Sequence, residues 1–262
     1  MTDADALREG GVPERLPTPP SPAPGAGAPE AEKVMSLVDH LGELRTRLVR
    51  SIIAVAVGSA IGFYAAPRVR ATLIQLLPSD QVQALGPGDA FAITLRISVV
   101  IGIILAMPVL LYQLWAFVAP GLTAGERRTL RPWVPLALGF FALGVAIAWF
   151  VLPFAITFLL QFSDEYLTAD QLAAVPYFDF VTTMFLAFGL VMEFPIVLYA
   201  LSRVGIATSA RLGASRRIVI LVIAVFAALA TPGGDIVSPI ILGGTMYGLF
   251  ELTVVAIRRS GK

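Results

Sequence analysis

The chain has 262 residues, of which 57% are hydrophobic and only 14% charged, and its formal net charge is +1. A soluble domain carries roughly 25% charged residues, so this composition points to an integral membrane protein. With no cysteine and one histidine, it excludes a disulfide framework, a thiol nucleophile and a histidine-rich metal site, and no phosphate-binding GxxxxGK[ST] loop is present.

Residues 1–33 hold seven prolines, several glycines and scattered charges. They read as a disordered tail without a secretory signal. From Val34 to Arg50, the apolar residues Val34, Leu37, Val38, Leu41, Leu44 and Leu48 recur at helical spacing. Ser36, His40, Glu43, Arg47 and Arg50 form the other face. Ser36 to Asp39 matches a capping box, and Glu43–Arg47 is an i,i+4 ion pair. The segment predicts an interfacial helix leading into the first span.

Six apolar blocks follow, at Val49–Ala66, Phe91–Val118, Trp133–Leu160, Tyr177–Leu201, Ile218–Ala230 and Ile236–Ile257. The first four are long enough for a hydrocarbon core of roughly 30 Å. Pro108, Pro153 and Pro195 mark expected kinks. The fifth block reaches only about 20 Å. The sixth is interrupted by Pro239 and Glu251, so both final helices are expected to be short and to leave a recess on one side. Basic residues cluster at one set of loops: Arg45, Arg47 and Arg50, then Arg127, Arg128 and Arg131, then Arg216 and Arg217, then Arg258 and Arg259. The positive-inside rule places these loops and both termini in the cytoplasm. No internal repeat is evident.

Three places invite a functional reading. MPVLLYQLWAFVAPGLTAGERR, residues 107–128, carries Tyr112, Gln113, Trp115 and Phe117 at the headgroup level. Its helix ends at Ala119-Pro120-Gly121, and Thr123 or Gly125 would cap the next, with Glu126 in the first turn. Glu126 is then either a helix-start acid or a ligand for a cationic group. Glu193, in FGLVMEFPIVLY, lies deep in the fourth block, where a charge costs at least about 2.5–3.5 kcal/mol. Small-residue pairs four apart, such as Gly58/Gly62, Gly102/Ala106 and Gly244/Gly248, permit close helix contact.

HLGELRTRL, the 107–128 stretch, FGLVMEFPIVLY and TPGGDIVSP occur in this order and resemble the TatC family, the multispanning receptor of the twin-arginine protein translocase. The resemblance runs from His40 to about Arg258. It implies an all-α membrane domain over 34–258, six helices in a cupped bundle, with both ends cytoplasmic in a prokaryotic cell membrane. It implies binding of twin-arginine signal peptides, association with TatA- or TatB-like single-span partners and with further copies of itself, and export of folded cargo driven by the proton-motive force. No enzyme chemistry, cofactor or nucleic acid is implied. By motif position, Glu43, Arg45, Gln113, Phe117, Glu126 and Arg127 would form the signal-peptide surface. Glu193 and Thr231 would contact a partner helix. Three positions depart from the family pattern: Pro232-Gly233-Gly234 replaces a double proline, Pro239 stands where glutamine is usual, and Trp149 where tyrosine is expected. A proton-coupled transporter using Glu193, and a pure scaffold, are the competing readings.

Overall fold

The computed structural model describes residues 37–77, 82–161, 172–203, 205, 209–231 and 235–259. The chain divides into two compact units, Met1–His40 and Leu41–Lys262; of the first, only the start of a helix is described. The expected tail, the Ser36 cap and the Pro232–Gly234 turn lie outside the described residues.

The described elements are α1 (Leu37–Ile74), β1 (Val82–Gln83), α2 (Asp89–Val118), a 3-10 turn (Ala119–Gly121), α3 (Ala124–Leu130), α4 (Trp133–Leu160), β2 (Leu172–Ala173), α5 (Ala174–Val191), α6 (Phe194–Arg203), α7 (Ser209–Ala214), α8 (Arg216–Ala230) and α9 (Val237–Arg259). Among the described residues, five helical segments are long and apolar enough to cross a membrane: Val38–Ile74, Asp89–Gly121, Ala124–Leu160, Ala174–Ser202 and Val237–Arg259. The lead-in helix and the first span are one element, α1, which passes through Pro67. Helices α2 and α4 also run unbroken through Pro108 and Pro153. Only the third expected site breaks the helix. Pro195 has no N–H to donate, and α5 stops two residues before α6 begins.

Of the two final helices expected to be short, α9 is not. Helix α8 has 15 residues, about 22 Å. Helix α9 has 23, about 34 Å, and continues past Glu251 to Arg259. It can do so because Glu251 is paired: Arg216 Nη2 donates to its Oε2 at 2.8 Å and Tyr247 Oη to its Oε1 at 3.1 Å. A charge with two partners need not end a helix.

Connectivity fixes two ends of the bundle. At one end, Arg47 of α1 meets Gln113 of α2. At the other, Arg70 meets Thr94, and the Tyr177 hydroxyl donates to the Leu73 carbonyl at 2.6 Å. There the two-residue strands pair in parallel, Val82 with Leu172 and Gln83 with Ala173. An ion pair joins Arg96 to Asp179 on the same half.

Glycines set the closest approaches. A Cβ on Gly102 would lie 2.5 Å from the Ser59 nitrogen, and one on Gly58 2.6 Å from the Gly102 carbonyl oxygen. Helices α4 and α5 meet similarly: a Cβ on Gly144 would lie 2.4 Å from the Phe188 carbonyl oxygen. Phe141, Phe178, Met184, Phe188 and Leu152 fill the core around this second contact. Outside it, α1 and α8 present Ile52, Val57, Ile61, Leu221, Val222 and Leu229. Such an apolar exterior suits lipid, and association then rests on close packing rather than on expelling water.

Candidate functional site

At the end where α1 begins and α2 ends, the two faces of α1 are reversed from the arrangement a water-exposed amphipathic helix would take. Leu41 and Leu48 are 64% and 56% exposed, whereas the Glu43 and Arg47 side chains are only 17% and 19% exposed. The polar face turns inward. Arg47 Nε donates to Glu43 Oε1 at 2.8 Å, and Nη2 donates to the same oxygen. Arg47 Nη1 reaches Gln113 Oε1 at 3.4 Å. Gln113 is 8% exposed, so this contact lies between helices. Glu43 Oε2 is buried with no hydrogen-bond partner. Arg45 is exposed and Phe117 half-buried.

Glu126 sits in a capping box. The Thr123 N–H and hydroxyl both donate to Glu126 Oε2 at 2.9 Å, and the Glu126 N–H returns to Thr123 Oγ1 at 3.4 Å. This is the helix-start role read from the sequence, with Thr123 as the cap. Its neighbour Arg127 folds back: Nε and Nη2 donate to the Ala119 carbonyl at 3.2 and 2.7 Å. Arg127 thereby satisfies the end of α2 and fixes α3 beside it. The loop is further held by a small apolar cluster of Leu122, Leu130, Tyr199 and Ile257, with Trp115 and Trp133 against it. Trp133 stacks on Tyr199 with ring centroids 3.9 Å apart.

The structure thus joins Glu43 and Gln113 through Arg47, and Arg127 to the α2 end, while Glu126 is held by its own cap. Arg47 was read from the sequence as Glu43's helical neighbour and as an inward-side charge, not as a link to α2. Its span to Gln113 has a sequence separation of 66 and no local signature.

Deeper in the bundle, Glu193 lies at the break between α5 and α6. Its N–H bonds the Leu190 carbonyl at 3.1 Å, and its own carbonyl accepts from Ile196 and Val197. The side chain is half-buried, and Oε1 is buried without a hydrogen-bond partner. Thr231 is buried at the end of α8, its hydroxyl donating to the Ala227 carbonyl at 2.8 Å. No hydrogen bond joins Glu193 to Thr231 among the described residues. Near Thr231, Asp235 Oδ1 caps α9 through the Ser238 N–H at 2.6 Å, and its Oδ2 is buried and unpaired. It lines a cavity of about 440 Å³ between α8 and α9 with Ile223, Pro239, Gly243 and Tyr247. Asp235 was not singled out from the sequence, although the Asp-Ile-Val-Ser spacing carries its cap signal. The Arg96–Asp179 and Arg216–Glu251 pairs join helices and left no local trace. No group of three or more metal-ligating side chains occurs among the described residues.

The family model for the Sec-independent protein translocase protein TatC matches residues 39–244. The TatC of Desulforapulum autotrophicum is 37% identical over 245 residues, covering 88% of this chain and 87% of the relative. That of Aquifex aeolicus is 36% identical over 229 residues, covering 84% and 93%. A crystal structure described as the twin arginine translocase receptor TatC matches with a TM-score of 0.73 and 34% identity, over 85% of this chain and all of that one. On fold, sequence and length together, the chain belongs to the TatC family.

Proposed function

We propose that this chain is the signal-reading receptor subunit of a twin-arginine translocase. It binds twin-arginine signal peptides at the end carrying Glu43 and Glu126, and with TatA- or TatB-like single-span partners and other copies of itself it exports folded proteins using the proton-motive force. The observation that carries this reading is the inward-turned Glu43, linked through Arg47 to Gln113, on a family scaffold whose same end holds the capped Glu126. Two carboxylates in a half-buried setting suit two guanidinium groups, because charge-assisted forked hydrogen bonds gain strength away from water. Arg45, Phe117 and Arg127 shape the surface around them. Glu193 and Thr231 offer polar groups to a partner helix.

In this reading α8 is a short sixth crossing, both termini are cytoplasmic, and residues 34–258 form one membrane domain in a prokaryotic cell membrane. Arg47, Arg127, Arg216 and Arg258 then lie on the inside, as the positive-inside rule requires. The chain has no cysteine, so single cysteines report topology without background. Leu85→Cys should react with an impermeant maleimide on intact cells, and Thr129→Cys only after lysis. The functional test is photocrosslinking from positions 43 and 126 to a peptide bearing consecutive arginines. Crosslinks that persist equally when both arginines become alanine would remove the receptor reading.

A further inference from the structure

The Glu43 carboxylate already holds an arginine of its own chain. Arg47 places two donors, Nε and Nη2, on the single oxygen Oε1 and leaves Oε2 buried without a partner. This arrangement neutralises the charge of Glu43 and leaves half of its accepting capacity unused. An unsatisfied buried acceptor is costly, so the self-paired state is held by proximity rather than by full complementarity. The i,i+4 spacing keeps the Arg47 guanidinium within reach of Glu43. Arg47 also has somewhere to go: its Nη1 reaches Gln113 Oε1 at 3.4 Å, on a side chain only 8% exposed.

The geometry points to Arg47 as an internal competitor that sets the specificity of the signal-peptide site. This rests on the twin-arginine reading proposed above. An incoming guanidinium aligned two-on-two covers both Glu43 oxygens, which Arg47 does not. It displaces Arg47 from Oε1, and Arg47 moves onto Gln113. A lysine ammonium is a compact point donor without a planar fork. It cannot cover both oxygens, and it must evict a guanidinium to bind at all. Arg47 therefore penalises lysine more than arginine, and the site discriminates by exchange rather than by charge alone. The Glu43–Arg47 pair, an ordinary helix-surface feature by its spacing, becomes the threshold a cargo has to exceed.

The test uses the full-length chain in lipid nanodiscs and fluorescent signal peptides carrying either two arginines or two lysines. Arg47→Gln keeps a polar group facing Gln113 and removes the competitor. The expected result is tighter binding of the arginine peptide by about three- to fivefold, in keeping with the loss of one partly buried ion pair. Binding of the lysine peptide should tighten more, so that the preference for arginine shrinks. Arg47→Lys, a milder change that guards against misfolding, should shift both affinities in the same direction by less. Weaker arginine-peptide binding in Arg47→Gln, or an unchanged arginine-to-lysine preference in both variants, would overturn the proposal; a merely structural Arg47 gives the first of these. Glu43→Gln in the same assay separates the two levels of inference. If it leaves arginine-peptide binding intact, the receptor reading itself fails. If it weakens binding while Arg47→Gln strengthens none, only the exchange mechanism fails.

Discussion

The acids at the rim of this bundle and the acid deep within it live under different rules. Glu126 accepts from Thr123, three residues away, and one oxygen of Glu43 accepts from Arg47, four residues away, while its other oxygen is left unbonded. Glu193 has no comparable local partner: its Oε1 is buried unbonded at a proline-induced helix break. The rim acids are bonded by side chains of their own helices and caps. The deep acid has an unbonded oxygen and, among the described residues, no side-chain partner from its own helix. The supporting scaffolds differ as well. On the helix that carries Glu43, the close approach to α2 is made at Gly58 and Gly102, and just before Glu193 the approach of α5 to α4 is made at Gly144 and Gly189.

The largest effects should come from breaking those two scaffolds separately. Gly102→Leu drives a side chain into the Ser59 backbone, and Gly144→Leu does the same at Phe188 and Met192. Each should cost about 1–3 kcal/mol or more through overpacking. Thermal unfolding in detergent reads the loss. Crosslinking reads the distinction: Gly102→Leu should weaken signal-peptide contacts first, Gly144→Leu those of a partner helix. Equal loss of both in each variant would show that the two regions are not independent.

Next in size is Glu193→Leu. Removing a buried unsatisfied polar atom should stabilise the folded chain by about 1–3 kcal/mol while stopping export of a folded reporter. A variant both less stable and inactive would mean that Glu193 has an internal partner, and the contrast with the rim would collapse.

Glu126 separates cap from ligand. Glu126→Gln keeps a capping-box side chain, whereas Glu126→Ala removes it. If charge reads the signal, both variants should lose about tenfold in signal-peptide affinity. Only alanine should cost about 1 kcal/mol of stability. Glutamine binding as well as glutamate would reduce Glu126 to a structural residue.

The smallest effect is expected from Arg127→Lys. Its two donors to the Ala119 carbonyl become one, loosening α3 against α2 at a cost of about 0.5–1.5 kcal/mol. Faster proteolysis within residues 119–131 is the readout, and an unchanged cleavage rate would show that the apolar cluster of Leu122 and Leu130 holds the loop alone.

What was legible in the sequence followed from locality. The apolar blocks, a disturbance at Pro195, a helix cap at Thr123 or Gly125 and the Glu43–Arg47 pair all depend on residues within a few positions of each other, though the same reading expected kinks at Pro108 and Pro153, where the helices run unbroken. The sixth block was read as Ile236–Ile257, but that α9 runs unbroken through it was not legible, because Glu251 looks like an interruption until Arg216, 35 residues earlier, is brought to it. Nor was Asp235 read as more than part of a turn, since its burial depends on how α8 and α9 pack.

The same division runs through the site. Composition and block length by themselves determined a helical membrane protein, because a bilayer demands long apolar segments whose backbone bonds are closed internally. Four ordered motifs determined the family. Which face of α1 turns inward was decided only by the tertiary structure. An amphipathic pattern specifies two faces, and it does not say which will meet lipid and which will meet protein. The glycine contact with α2 brings α1 against its neighbour, Gln113 receives Arg47, and the polar face becomes the buried one. Glu43 thereby changes from a surface charge into a half-satisfied carboxylate held by an arginine of its own chain.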